Sequence, residues 1–479
     1  MITGTKQQEA IWQELAEGKG DVIVNAGAGT GKTFTIVEGG NRTNGSNMAF
    51  LCFNKSIQTE LAERLPDNVE AKTFHALGFA AIRSAGIRTK VNNWKVKNFI
   101  NDILGKDYQD TSQLCKLISL IKGSLVEGND RKSILQIIDA YNINFNSSRE
   151  EEMALKNIPV LLEMCKQNTS LIDFDDMIWL PIVNGYSMPK FDVLFVDEAQ
   201  DFNEMQRELI FRCVNEESRI VIVGDRNQAI YGFRGADSNS ISIFKSQLEK
   251  RGREVKEFSL SLTWRCPKSV VKEANRFVAD FDCKEDAIEG KVVEKAPFNP
   301  EEGDMVLCRY NAPLVSAFYE LIMQGKSAYV LGRDMTKGLV NAVNKITKNN
   351  NMGSVEFSEL LEHDFRYNYD RLISLDKTNQ AHSLEDKYEC IRIFATKATT
   401  VGGIIAEIKR VFDGNEKGEI MLSTVHKAKG LEADNVYILA TERMPHPKAT
   451  NMQEEMNICY VAITRAKKNL YYCGPKPAQ

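Results

Sequence analysis

DVIVNAGAGTGKTFTIVEGG, residues 21–40, decides how the rest of the chain is read. DVIVN is a short apolar run suited to a buried strand, and the segment from Thr33 onward continues as a helix. Between them Gly27, Gly29 and Gly31 free the backbone to curl, so that successive N–H groups converge on an anion at the helix N-terminus. In such a loop Lys32 reaches the β- and γ-phosphates of a nucleotide, and the Thr33 hydroxyl ligates Mg²⁺. The strict pattern opens with Gly, whereas this loop opens with Ala26, whose methyl is tolerated where that residue keeps a negative φ. The competing reading is a glycine-rich turn that binds nothing. Strand, loop and helix in that order argue against it, so Ala26, Gly27, Ala28, Gly29, Thr30, Gly31, Lys32 and Thr33 form the candidate nucleotide cradle.

The matching acids lie far downstream in VLFVDEAQD, residues 193–201. Val193 to Val196 read as a central parallel strand, with carboxylates at its C-terminal end, where ligands sit in open α/β sheets. There Asp197 holds Mg²⁺, directly or through water, and Glu198 orients or deprotonates the attacking water. An acidic strand-to-helix loop is the plain alternative. It leaves unexplained why the acids follow an all-apolar strand in a chain that already carries a phosphate loop. Together the two motifs imply hydrolysis of a nucleoside triphosphate, with ATP and Mg²⁺ as the cofactors.

The chain has 479 residues, too many for one core, and two to four domains are expected. Hydrophobic residues make up 43% and charged residues 26%, the composition of an ordinary globular protein. No apolar run approaches the ~18 residues of a membrane span. The polar start, MITGTKQQEA, has no apolar signal-peptide core, so no membrane association is expected. Ten cysteines without a C-x-x-C pair predict reduced thiols and a cytoplasmic location. The net charge of −4 argues against a general nucleic-acid coat protein but leaves room for a local basic groove. None of the five histidines has metal-ligand spacing, so no zinc or iron–sulfur site is expected.

Along the chain, strand and helix signals alternate over residues 1–79. Residues 80–171 turn helical (QLCKLISLIKGSL, SILQIIDAYNI), and strand signals return with VLFVDEAQD and RIVIVGD. A second α/β region opens near 258 (FSLSLTWRCP) and continues through DMVLCRYN and SAYVLGRD. Residues 333–417 are polar and helical. Strands then resume at EIMLSTV and NVYILA, before a helix over NICYVAITRAKK and a strand at LYYCG. The expected fold is therefore α/β, two lobes each with a parallel sheet and a mainly helical insertion. Residues 1–79 and 172–257 make the first lobe and 80–171 its insert; 258–332 and 418–479 make the second lobe and 333–417 its insert.

The ordered set GAGTGKT, FNKS, TFHALG, DEAQD, GDRNQAIYGFRGA, LTWRCP, VHKAKGLEADNV and YVAITRAKK resembles the superfamily 1 DNA helicases of the UvrD/Rep/PcrA type. The small second insert is similar to that of compact phage and F-box members. The resemblance runs from about residue 3 to 473 and is weak inside the two inserts. It implies two RecA-like lobes sandwiching ATP. Gln7, or less readily Gln8, then reads the adenine edge, Trp264 stacks on the base, and Glu432 contacts the ribose. Arg265 and the far-downstream Arg465 act as arginine fingers, a kind of residue that contributes roughly 10³ to 10⁵ in turnover. Gln228 senses the γ-phosphate and couples it to the DNA site.

The same resemblance implies single-stranded DNA across both lobes. Phe53, Tyr231 and Phe233 act as stacking platforms, each contributing roughly 1–3 kcal/mol. Asn54, Arg234, His75 and His426 add phosphate or base contacts, while Lys427 and Lys429 read equally well as solvated lysines. Relatives usually carry Trp at the Phe233 position, which implies weaker stacking here. The implied activity is ATP-dependent translocation on single-stranded DNA, 3′ to 5′, with duplex unwinding at single-strand/duplex junctions. The implied setting is DNA replication, repair or recombination alongside proteins of those pathways, with a monomer in solution. The rival readings are a DNA-stimulated translocase that does not unwind by itself, and a phosphotransferase or nucleotide-binding scaffold. Glu198, Arg265 and Arg465 together argue against the last, and no nuclease signature is evident near GPKPAQ.

Overall fold

Val22–Val24, Phe50 and its neighbours, Val193–Val196 and Arg219–Gly224 are nearly continuous buried runs, as strands covered on both faces must be. The computed structural model describes residues 4–478 apart from 53, 54, 142, 144, 233, 234, 236–238, 376, 413–418, 447, 448 and 450. It divides into two compact units, Met1–Leu260 and Ser261–Gln479.

The first unit contains β1 (Asp21–Ala26), β2 (Met48–Cys52), β3 (Val69–Thr73), β4 (Lys90–Val91), β5 (Leu171–Ile172), β6 (Val193–Val196), β7 (Arg219–Gly224) and β8 (Val255–Leu260). Six of these form one sheet in the order β3-β2-β6-β7-β1-β8, and every ladder in it is parallel. Side chains alternate between its faces. Val22, Val24, Phe50, Phe195 and Val221 pack on Ile11, Leu15 and Ile36 of the flanking helices. Ile23, Leu51, Leu194, Val196 and Ile220 face the opposite core.

That opposite core explains why two units are found where length allowed up to four. Helices Lys95–Leu104, Thr111–Gly123, Arg131–Ala140 and Ser148–Gln167 fill the stretch read as helical. Their Ile100, Leu114, Ile134 and Leu161 join the same cluster as Leu194 and Ile220. The insertion shares the core of its sheet and builds none of its own. Strand β8 also closes the first unit three residues later than the sequence reading drew it. It pairs along β1 from Asp21↔Val255 to Ala26↔Leu260, so FSLSL begins inside the first sheet.

Two fully buried lysines tie the insertion down. Lys95 Nζ contacts Asp176 Oδ2 at 2.6 Å and the carbonyls of Cys165 (2.9 Å) and Asn168 (2.8 Å). Lys122 Nζ lies 2.8 Å from Asp176 Oδ1 and 2.9 Å from Asp173 Oδ2. Burial works to lower the Lys122 pKa, but Asp176 and Asp173 more than offset it and hold the ammonium charged. Asp173 and Asp176 also form the capping box of helix Phe174–Val183. The network thus fixes the start of that helix, and removing one partner of such a buried pair typically costs about 3–5 kcal/mol.

The second unit contains β9 (Leu262–Thr263), β10 (Asp282–Cys283), β11 (Lys291–Val293), β12 (Met305–Cys308), β13 (Ala328–Val330), β14 (Ile420–Thr424), β15 (Ala433–Ile438) and β16 (Ala466–Tyr472). Its main sheet runs β11-β16-β15-β12-β14-β13, again with parallel ladders throughout. Helices Ser354–Ser374, Thr378–Thr396 and Val401–Phe412 send Phe357, Leu361, Ile391, Phe394 and Ile404 into one cluster with Val306 and Leu422. The last helix, Met452–Ile463, begins and ends five residues earlier than the NICYVAITRAKK of the sequence reading. Ala466–Lys468 already belong to β16, which leaves Arg465 at the turn between helix and strand.

All ten cysteines are free thiols. Among the described residues no helix is long and apolar enough to cross a membrane, and no group of three or more His, Cys, Asp or Glu could hold a metal ion.

Candidate nucleotide and DNA site

β1 delivers the chain to the loop, and helix Lys32–Arg42 leaves it. Gly31 (φ 81°) and Gly29 (φ 68°) adopt left-handed backbone that a side chain would strain. The Thr30 hydroxyl donates to Gly27 O at 2.9 Å, closing the loop on itself. Ala26 ends β1 as a buried residue and is absent from the positive-φ set, so its methyl is accommodated as the sequence required. Gly31 caps the helix without a side-chain hydrogen bond, so the first-turn N–H groups face the loop as an anion site.

The acids of VLFVDEAQD come to this loop from the end of β6. The Thr33 hydroxyl lies 3.4 Å from Asp197 Oδ2, and Lys32 Nζ lies 3.8 Å from Glu198 Oε1. Glu198 has φ 57°, a left-handed conformation costing about 1–3 kcal/mol in a non-glycine residue and characteristic of functional sites. Burial, then the charge of Glu198, pushes the Asp197 carboxyl up to about 6. A hydroxyl and a buried carboxylate this close are the hard oxygen donors that suit Mg²⁺, whose charge would reverse that shift.

A polar chain continues from these acids through two residues the sequence reading did not single out. Gln200 Nε2 donates to Glu198 Oε2, and Gln200 Oε1 accepts from Asp225 N–H at 3.0 Å. Asp225 Oδ2 in turn accepts from Gln228 Nε2 at 2.7 Å. Glu198, Gln200, Asp225 and Gln228 are therefore linked hand to hand. Burial raises the Asp225 pKa, and Lys32 works against that shift.

The structure separates the two glutamine candidates at the N-terminus. Gln8 is buried; its Oε1 accepts from Thr5 N–H (2.9 Å) and its Nε2 donates to Thr35 Oγ1 (3.0 Å). Its amide is committed at both ends to holding the first helix on the loop helix. Gln7, beside it, is half-buried.

In the second unit, Trp264 follows β9 and is 54% exposed, with Lys284 Nζ 3.5 Å from its ring centroid. Arg265 Nε contacts Glu432 Oε2 at 2.6 Å, so the acid expected at a ribose is ion-paired within its own unit. Arg465, expected as an arginine finger, is only 1% exposed. Its guanidinium donates to Val461 O (2.9 Å), Leu431 O (3.1 Å) and Thr464 Oγ1 (3.2 Å). The turn that ends the helix at Ile463 folds the side chain back along that helix, which accounts for its burial.

Of the expected DNA contacts, Phe53, Asn54, Phe233 and Arg234 lie outside the described residues. Tyr231 and His426 are half-buried. His75, at the start of helix Phe74–Ser84, meets Phe174 edge-to-face at 5.7 Å. Burial lowers the His75 pKa, so near pH 7 it offers a neutral imidazole to a base or sugar and not a cation to a phosphate. Phe174 is 52% exposed although it heads a helix pinned by buried lysines.

The UvrD/REP helicase N-terminal domain matches residues 5–249, and the UvrD-like helicase C-terminal domain matches residues 135–473. The chain belongs to the UvrD/Rep helicase family. It is an ATP-dependent DNA helicase of the UvrD/Rep type. A probable DNA helicase II homolog of Mycoplasma pneumoniae is 25% identical over 95% of this chain and 82% of that protein. F-box DNA helicase protein 1 of Schizosaccharomyces pombe is 25% identical over 98% of this chain and 57% of its own length. ATP-dependent DNA helicase Rep of Escherichia coli is 26% identical over 54% of this chain and 41% of that protein. The chain thus spans most of the first relative, but only about half of the second and two fifths of the third.

Within this UvrD/Rep helicase, Gln200 carried a local signal, two residues from Glu198 in the same motif. Asp225 and Phe174 carried less. An Asp in GDRNQ reads as a turn former, and FDD after an Asp reads as an acidic helix start.

Proposed function

We propose that this chain is a motor that couples ATP hydrolysis to 3′-to-5′ movement on single-stranded DNA and separates duplex at single-strand/duplex junctions. The observation that carries the reading is the linked set in the first unit. A phosphate loop, a metal-binding pair (Thr33, Asp197) and a water-orienting acid (Glu198) connect through Gln200 and Asp225 to Gln228. Such a link makes the state of the γ-phosphate available to a neighbouring site, which a simple hydrolase does not need. Bound Mg²⁺ would neutralise phosphate charge beside Thr33 and Asp197.

Residues 26–33 bind the phosphates, Gln7 reads adenine because Gln8 is committed elsewhere, and Trp264 stacks on the base. Arg265 and Arg465 meet the γ-phosphate after exchanging their present partners, and Glu432 meets the ribose once Arg265 has left it. His75, His426, Tyr231, Phe53, Asn54, Phe233 and Arg234 contact DNA, joined by Phe174. Residues 80–171 and 333–417 serve as accessory inserts of the two RecA-like lobes. The family's biology supports a place in replication, repair or recombination, with action as a monomer inside the cytoplasm.

ATP turnover of wild type and Glu198→Gln with and without single-stranded DNA tests the reading. Strong stimulation, lost by roughly 10² to 10⁴ in the variant, is expected. Forked substrates with one tail polarity at a time then read direction and unwinding. Turnover that ignores DNA sinks the motor. Stimulation without strand separation leaves a translocase, a reading that the small second insert favours.

A further inference from the structure

Trp94 is 64% exposed. It is also held firmly. Its N–H donates to Asn92 Oδ1 at 2.9 Å, and its carbonyl accepts from Asn98 N–H at 2.8 Å at the head of helix Lys95–Leu104. The next residue, Lys95, is the fully buried lysine anchored to Asp176, so the indole is carried outward on a fixed base. Lys97 Nζ sits 5.1 Å from the ring centroid.

The surrounding sequence is unusual in charge. Residues 71–101 contain no Asp or Glu and six Lys or Arg, in a chain whose net charge is −4. Of these, Arg83, Arg88, Lys90 and Lys97 are exposed, on the end of one helix, the loop after it, the small strand β4 and the start of the next helix. A protein interface would want a broader apolar area than one indole and Val91. An exposed indole on a hydrogen-bonded backbone, with Lys97 over its ring and a sequence neighbourhood rich in cations and free of acids, matches a base flanked by phosphates. The indole offers a stacking face, which an unpaired base can use and a paired base inside a duplex cannot.

We propose that Trp94, with Arg88, Lys90 and Lys97, binds single-stranded DNA at a surface additional to the motif residues. It holds a second strand segment at a fork, and in this it rests on the function proposed above. The motor residues grip one strand, and this surface takes the other. Among the described residues of this insertion, Trp94 is the one exposed aromatic.

Anisotropy titrations of wild type and Trp94→Ala use a fork with two single-stranded arms, the same duplex with only its 3′-ended arm, and a short oligo-dT. The variant is expected to weaken fork binding about tenfold. Trp94→Phe should recover most of that loss, and the oligo-dT concentration for half-maximal ATP turnover should not change. Because the side chain is exposed, the thermal midpoint should also stay put. Equal fork affinity of the two proteins overturns the proposal. Equal loss on the one-armed duplex overturns it in favour of a duplex contact, and equal loss on oligo-dT places Trp94 in the motor track. A wild type whose turnover ignores DNA sinks the motor reading instead, while Trp94-dependent fork binding in that protein would still uphold this surface.

Discussion

The groups proposed for catalysis in the two units are held in opposite ways. In the first, Lys32, Thr33, Asp197 and Glu198 already face one another around a loop whose glycines point N–H groups at an anion. In the second, Arg265 is paired with Glu432, and Arg465 is bonded to carbonyls of its own unit. One unit has its groups assembled for a phosphate; the other keeps its cations satisfied at home. On the proposed function, the first unit would bind a nucleotide without hydrolysing it quickly, because an arginine at the transferring phosphoryl group contributes roughly 10³ to 10⁵ in turnover.

The sharpest way to break this comparison is at Arg465. If its guanidinium leaves Val461 and Leu431 for the nucleotide, Arg465→Lys should keep nucleotide binding while lowering DNA-stimulated turnover by roughly 10³-fold. Fluorescent-nucleotide affinity beside steady-state turnover separates the two effects. Loss of stability with turnover per folded molecule intact would mean that the arginine only holds the helix end. Gln200→Ala is expected to act next. It cuts the link from Glu198 to Asp225 and should cost about 10- to 100-fold in turnover, by analogy with residues that orient metal-site ligands. The DNA concentration for half-activation should shift as well; an unchanged value would mean that the chain of bonds carries no coupling.

The smallest effect concerns stability and sharpens the claim that the first unit holds its groups assembled in advance. Asp197 has its folded pKa raised to about 6 from an ordinary 3.8. Its contribution is unimpaired below the lower value and is lost as pH rises through the upper one. Asp197→Asn should therefore abolish turnover yet raise the thermal midpoint of nucleotide-free, Mg²⁺-free protein. The gain should be full above pH 6 and vanish below about pH 4, at roughly 2–4 °C per kcal/mol. A variant less stable than wild type at pH 8 would show that the carboxylate is well satisfied without metal.

The motif-bearing strands were legible because parallel strands covered on both faces must be continuously apolar, and VIV, VLFV and IVIV are. Strand β8 was not: its VKEFSL is half polar because it lies at the sheet edge, so its membership of the first sheet showed only in its pairing with β1. The cradle from Ala26 to Thr33 could be read because phosphate geometry forces glycines into fixed places. The Gln200–Asp225 bond could not, since it joins a turn after β6 to one after β7. The choice between Gln7 and Gln8 did have a local signal, Thr5 and Gln8 in capping-box spacing, which commits Gln8 to its own helix. The resting place of Arg465 had none, because the length of a helix end is set by the strand that follows it.

The strand order also has a consequence for synthesis. β1 and β2 are made early yet never touch; β6 and β7 fill the gap between them, after the helical insertion has been made. Until about residue 224 has left the ribosome, the growing chain carries open strand edges with no permanent neighbour. Translation at ~5–20 residues per second makes that exposure last on the order of ten seconds or more. The nascent first unit is therefore a natural client for a chaperone, and a fragment ending before β6 would have two strand pieces and no sheet to join them.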